Sequence, residues 1–174
     1  MKNKIQILAV LIITSCLFSC SSDDDFNYQN DFIDSQNTWL DFKELSNHSY
    51  KYVVSGGSVF ITYGWETAIT VSNGKIIQRQ FAFTGNPENI PEGELEWIEN
   101  ENEINSHTAS NAAEALTLDQ IYSIAEKEWL IKRKNTTSYF ESKNDGLIST
   151  CGYVKNECMD DCFVGITIKS IEIL

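Results

Sequence analysis

Residues 65–83 read WETAITVSNGKIIQRQFAF, two apolar and β-branched runs on either side of Ser72-Asn73-Gly74. Asn and Gly both tolerate positive φ, so Asn-Gly between such runs marks a two-residue type I′ turn whose twist matches paired strands. Residues 65–71 and 75–83 are therefore predicted to form an antiparallel hairpin. The rest of the fold is read outward from it.

Upstream, residues 50–54 form a strand that Ser55-Gly56-Gly57-Ser58 turns into a second strand over 59–63. Before them, residues 32–45 predict a helix with Trp39, Phe42 and Leu45 on one face, ended by Asn47-His48-Ser49. Downstream, Thr117 caps a second helix and Gln120 completes a capping box. Leu118, Ile121, Tyr122, Ala125 and Trp129 make its apolar face. Asp119 near its start and Lys132, Arg133 and Lys134 near its end suit the helix dipole, so the basic trio reads as a solvated helix end. Strands over 136–142, 147–154 and 163–174 follow, the first two joined by Lys143-Asn144-Asp145-Gly146. Ile166 and Ile168 share one phase of the last strand and Ile171 and Ile173 the other. A β-bulge near Lys169-Ser170 is predicted to keep all four inside. The sum is an α+β domain: an antiparallel sheet in two hairpin-rich halves, each preceded by a helix, with the helices packed on one face.

Composition agrees with one domain. The chain has 174 residues, 42% of them hydrophobic, with two Pro and nine Gly, which excludes collagen-like and wholly disordered classes. Its formal charge is −12 and no basic patch stands out, so a nucleic-acid partner is not expected. Residues 31–174 make the domain. Residues 84–116 carry Glu88, Glu92, Glu94, Glu96, Glu99, Glu101 and Glu103, with no Lys or Arg between Arg79 and Lys127. This part reads as an exposed acidic connection, with Trp97 and Ile98 pinning it to the domain. The Asp/Asn and Gly spacing of an EF-hand is missing from it, so calcium is not expected.

The N-terminus has the form of an export signal: Lys2 and Lys4, then an apolar run over 5–13 that is short for a membrane span. Leu17-Phe18-Ser19-Cys20 resembles the lipobox of bacterial lipoproteins, in which the cysteine becomes the acylated first residue. Ile13-Thr14-Ser15-Cys16 fits the same pattern, but choosing Cys16 would strand Leu17 and Phe18 as an apolar stub. The resemblance implies a signal peptide over 1–19, lipidation at Cys20, a linker over 20–30, and attachment to the outer membrane through lipid. Two or three acyl chains hold where one binds reversibly. Ser21-Ser22-Asp23-Asp24-Asp25 resembles the acidic export tag of Bacteroidetes-type surface lipoproteins, with a solvated spacer as the alternative. Removing 1–19 takes away two lysines and no acid, moving the formal charge from −12 to −14.

In an exported protein Cys151, Cys158 and Cys162 predict one disulfide and one free thiol. Cys151–Cys162 would close the loop between the last two strands; Cys158–Cys162 competes, since spacing does not fix connectivity. No metal is expected, because the paired spacing of structural zinc sites is missing and His48 and His107 are remote in sequence. No P-loop, G-x-S-x-G, H-E-x-x-H or G-x-G-x-x-G occurs, so no catalytic residue and no cofactor is assigned.

Trp39, Ser49-Tyr50-Lys51-Tyr52, Ile69-Thr70-Val71-Ser72-Asn73-Gly74-Lys75, Thr117-Leu118-Asp119-Gln120 and Asp160-Asp161 together resemble a group of small uncharacterised envelope lipoproteins. That resemblance covers most of the chain from Trp39 onward and implies a shared domain, with no activity attached. The expected function is a non-catalytic binding or envelope-maintenance module. An inhibitor-like module that blocks a partner enzyme is the alternative, and a hydrolase ranks below both. Exposed aromatics among Tyr50, Tyr52, Tyr63 and Trp65 would form the binding face for a protein or glycan. A pocket gathering His48, Asp160, Asp161 and a free cysteine would instead signal catalysis.

Overall fold

Seven antiparallel strands form one sheet in the computed structural model, which describes residues 26–58, 60, 62–107, 111–160 and 162–174. The signal segment 1–19, Cys16, Cys20, the linker up to residue 25, Val59 and Asp161 lie outside the described residues. The elements are α1 (Gln29–Leu45), β1 (Tyr50–Gly57), β2 (Gly64–Ser72), β3 (Lys75–Thr84), α2 (Glu92–Leu95), β4 (Glu96–Asn100) and α3 (Leu118–Ile124). A π-turn (Ala125–Trp129) continues α3, and β5 (Thr136–Glu141), β6 (Thr150–Lys155) and β7 (Val164–Ile173) complete the chain. The spatial order is β4-β3-β2-β1-β7-β6-β5, so the last strand returns to pair with the first. The protein is α+β, with strands predominating.

The hairpin at residues 65–83 forms as predicted. Asn73 and Gly74 take φ of 49° and 76°, and Ser72 pairs with Lys75 across the turn. Two further contacts dock this turn on the end of α1, where Gly74 N–H donates to His48 O at 2.9 Å and Asn73 N–H to Ser49 Oγ at 3.0 Å.

Helix α1 starts earlier than predicted and buries a different face. Phe32, Ser35 and Trp39 are buried and Phe42 is half-buried, whereas Leu45 is 74% exposed. At 3.6 residues per turn Leu45 lies about 240° round from Trp39, so the two cannot share a stripe. The second helix is as expected at its start. Thr117 N–H donates to Gln120 Oε1 at 2.7 Å, and Gln120 N–H to Thr117 Oγ1 at 3.3 Å. Leu118, Ile121, Tyr122, Ala125 and Trp129 all face the core. The helix then widens into the π-turn, with Leu130 N–H donating to Ala125 O at 3.0 Å, and closes before the basic trio. These helical residues join Tyr50, Tyr52, Ile69, Val71, Cys151 and Ile168 of the sheet in one core.

Two strand predictions need correction. Residues 55–57 do not turn; they extend β1, and Phe60, Thr62 and Tyr63 belong to no strand. The bulge in β7 is present: Val53 pairs with Ser170 and Val54 with Ile168, leaving Lys169 extra. It buries Ile166 and Ile168 and keeps Ile171 partly buried, but Ile173, at the strand end opposite Tyr50, remains exposed.

The acidic connection is more ordered than its composition suggests. Residues 96–100 form β4, which pairs with β3 in a register that sets Trp97 opposite Phe81 and Glu99 opposite Arg79. Trp97 and Glu99 are buried and Ile98 is exposed. Alternation places the first two on the core side, and no count of acids along the chain reveals that.

Candidate functional site

Tyr50 and Tyr52 do not form a binding face; they are 2% and 0% exposed. Their rings lie on the covered side of β1, where their hydroxyls satisfy backbone groups of the second helix and the segment before it. Leu118 N–H, one of the orphan donors of a helix start, donates to Tyr50 OH at 3.0 Å, and Tyr52 OH donates to Leu116 O. Burial pushes the Tyr50 phenol up to about 12 and Tyr52 higher still, so both stay neutral donors or acceptors. Tyr122 OH lies 2.8 Å from Ser35 Oγ, and Trp39 Nε1 donates to Asp119 at 3.0 Å. These contacts are structural links between helices and sheet.

The remaining two candidates belong to one end of the sheet. Gly57 pairs with Gly64 and Gly64 with Thr84, while Thr136 pairs with Lys155 and Tyr153 with Val164. The segments that follow Gly57, Thr84 and Lys155 therefore leave the sheet at this end. Here β1 and β7 part. Their ladder stops at Val54 and Ile168; beyond it residues 55–57 pair only with β2, and residues 164–167 only with β6. The result is a fork between two strand edges, opening a cleft of about 590 Å³ beside Trp65, Phe163, Asn111 and Ala113.

Glycines shape both prongs. A Cβ on Gly56 would lie within 2.5–2.7 Å of the Trp65 indole, so the ring lies across the bare backbone. Gly152 and Gly165, paired across β6 and β7, make the same space for the Phe163 ring. Aromatic rings covering strand glycines restore the packing that the missing side chains forfeit. Tyr63 lies nearby in a T-shaped contact with Phe83 and takes no part in lining the cleft. Two large apolar side chains project from the flanking loops: Phe60 is 70% exposed and Met159 93%.

The wall of the fork is pinned by a buried ion pair. Arg79 Nη1 lies 3.1 Å from Glu99 Oε2, and Arg79 Nε donates to Ala113 O at 2.9 Å. Ala113 N–H in turn donates to Thr67 Oγ1 at 2.9 Å. Glu99 also accepts from the Asn105 and His107 N–H groups, both at 2.7 Å, and from Ser106 Oγ at 3.1 Å. Burial alone would raise this carboxyl; the backbone donors, with Arg79 and His107, overcome it and hold Glu99 at about 2. The His107 ring stacks on Trp97 with centroids 4.3 Å apart, and the Arg79 guanidinium lies over the same indole. One ion pair thus holds residues 105–107, through Glu99, and Ala112 and Ala113, through Arg79, against the sheet.

The cysteines correct the preferred pairing. Cys158 and Cys162 are joined, with Cα atoms 6.2 Å apart, and Cys151 is free and buried. Cys151 pairs with Ile166 in the sheet and points into the core, where burial pushes its thiol up to about 12. The three sulfurs are therefore not gathered. Nor are the groups considered for catalysis: His48 follows α1 at the Asn73-Gly74 end, and Asp160 lies in the loop before β7 at the other.

Beside the disulfide, Arg133, Lys134 and Lys155 line a second cleft of about 430 Å³, with the Arg133 guanidinium 4.5 Å from the Tyr153 ring centroid. The sequence pattern marks Lys132, Arg133 and Lys134 as a helix end and gives no sign of Lys155, which only the β5–β6 register brings beside Arg133 and Lys134. Among the described residues no helix is long and apolar enough to cross a membrane, and no three His, Cys, Asp or Glu side chains are placed to hold a metal ion. The chain matches no protein-family model, no characterised protein and no solved structure.

Proposed function

We propose that this chain is an exported, lipid-anchored, non-catalytic binding module that receives an extended segment of a partner protein in the fork between β1 and β7. The observation that carries the reading is the fork itself. Two strand edges face each other without a ladder, and unpaired strand edges recruit a further strand through main-chain hydrogen bonds. Trp65 and Phe163 supply apolar contact on either side, the side-chain specificity such binding needs. In this reading the sheet is two helix-led meanders that share the β1–β7 seam, and the fork is where that seam opens.

Cys20 is the anchor, in the outer membrane, with the acidic run after it serving display at the cell surface. The resemblance to envelope lipoproteins supports this placement, as does the signal-like segment before the cysteine. A second reading, an inhibitor-like module, draws support from Phe60 and Met159, which project from loops on the fork's end of the sheet as plugs for a partner's cleft would.

A photo-crosslinking residue at Ser55 or Thr167 in intact cells tests the fork. A discrete adduct from these positions, and none from Ser72 or Glu141 at the opposite end, is expected. Adducts from Phe60 and Met159 alone would transfer the site to the loops and favour the inhibitor. Adducts from none of the four rim positions would refute binding at this end.

A further inference from the structure

We propose that the cleft between Arg133, Lys134 and Lys155 receives the phosphate of anionic lipid headgroups, so that the folded body itself touches the membrane that holds its anchor. The proposal rests on the lipid-anchor reading for the source of the phosphate, and on the structure for the cleft. The first described residue, Phe26, forms an antiparallel bridge to Ile131, and Asn27 N–H donates to Leu130 O at 2.8 Å. Phe26 is therefore paired one residue from Lys132. Six Cα steps separate Phe26 from Cys20, a reach of at most about 20 Å. Acyl chains on Cys20 keep this face of the protein within that distance of the headgroups.

Charge is distributed to match. The whole chain has a formal charge of −12, yet three cations line this cleft against one acid, Glu157. At physiological ionic strength the Debye length is about 8 Å, so carboxylates on the far side of the sheet contribute little here. The acids that oppose the cleft are Glu157 and those that precede Phe26 in the chain, Asp23, Asp24 and Asp25. Arg133 is already held in place. Its guanidinium stacks on Tyr153 and donates to Ile131 O at 3.2 Å and to Glu128 O. A guanidinium has five donors, so those contacts fix its orientation and leave donors for a phosphate. Lys155 is brought opposite Thr136 by the β5–β6 register, and Cys158 N–H closes the following turn on Lys155 O at 3.0 Å. The sequence pattern of a solvated helix end thus becomes one wall of a basic cleft at the point of membrane attachment.

The test uses the mature polypeptide, residues 20–174 with Cys20→Ser, which lacks acyl groups and carries every core residue. It is sedimented with vesicles of phosphatidylcholine alone or with one third phosphatidylglycerol. Selective binding to the anionic vesicles is expected, lost as salt rises from about 0.1 M to about 0.5 M. Each cation near such a surface contributes about fivefold, so the double variant Lys134→Gln with Lys155→Gln should bind about 25-fold more weakly. Lys75→Gln, at the opposite end of the sheet, should leave binding unchanged. Equal binding to both vesicle types, or equal loss from Lys75→Gln, overturns the proposal. Binding of inorganic phosphate without vesicle binding overturns the lipid source. Failure of the anchor reading has its own signature: in cells fed radiolabelled palmitate, the unaltered chain would take up no label.

Discussion

Replacing Glu99 by Gln is the most direct test of how the wall of the fork is held. The change is isosteric and removes one negative charge from a side chain that is 0% exposed. Arg79, itself 3% exposed, would keep Ala112 O and Ala113 O as acceptors but lose its counter-charge. An uncompensated buried charge of this kind costs about 3–5 kcal/mol. The Gln amide adds to the loss, because donors approach both Glu99 oxygens and an NH₂ must then meet one of them. For a domain near this size 1 kcal/mol lowers Tm by about 2–4 °C, so a fall of about 10 °C is expected. Thermal unfolding reads that fall, and urea denaturation followed by tryptophan fluorescence reads the free-energy loss, with an unchanged m-value as the sign that stability alone has altered.

The pH dependence gives a second readout. Glu99 titrates at about 2 in the folded chain against an ordinary 4.5. Between those values the unfolded chain binds the extra proton, so the carboxylate's contribution is complete above pH 4.5 and disappears as pH falls through 2. The stability gap between the parent and Glu99→Gln should shrink over that window. A Glu99→Gln protein within about 0.5 kcal/mol of the parent at neutral pH, the range of ordinary surface changes, would refute the clamp. So would a gap that stays constant down to pH 2. Replacing both partners, as in Arg79→Met with Glu99→Leu, should recover much of the loss, since apolar pairs often substitute for buried ion pairs without net cost.

Two other outcomes are expected. Non-reducing peptide mapping should recover Cys158 linked to Cys162, while Cys151 reacts with iodoacetamide only after unfolding, because its thiol is buried and pushed up to about 12; a Cys151 that alkylates in the native state would contradict its position. Thr117→Ala should lose about 1 kcal/mol in urea denaturation through loss of the bond that Gln120 N–H donates to Thr117 Oγ1, and Thr117→Ser should keep most of that stability.

Features that depend on a few neighbouring residues were legible along the chain. Asn73-Gly74 needs only two positive φ values, the Thr117–Gln120 box needs only one helical turn, and the β7 bulge follows from a phase change among four isoleucines. The candidate site was much less legible. Alternation put Tyr50 and Tyr52 on one face of β1, but nothing local says which face the helices cover. Trp65 was found by residue type, while Phe163 and the glycines under both rings were not. Gly56 next to Gly57 was read as a turn, whereas it is where an indole crosses the backbone.

By itself, then, the order of residues determined the Asn73-Gly74 hairpin, the start of the capped helix and the α+β class, because each is set by dihedral preference, period or a short contiguous pattern. Only the tertiary structure decided that Glu99 meets Arg79, that Cys158 and not Cys151 takes Cys162, that Lys155 joins the basic trio, and that β1 and β7 separate to form a fork. Each of these is a meeting of residues from different strands or loops. Register and chain return fix such meetings, and they depend on how the whole sheet closes over its core.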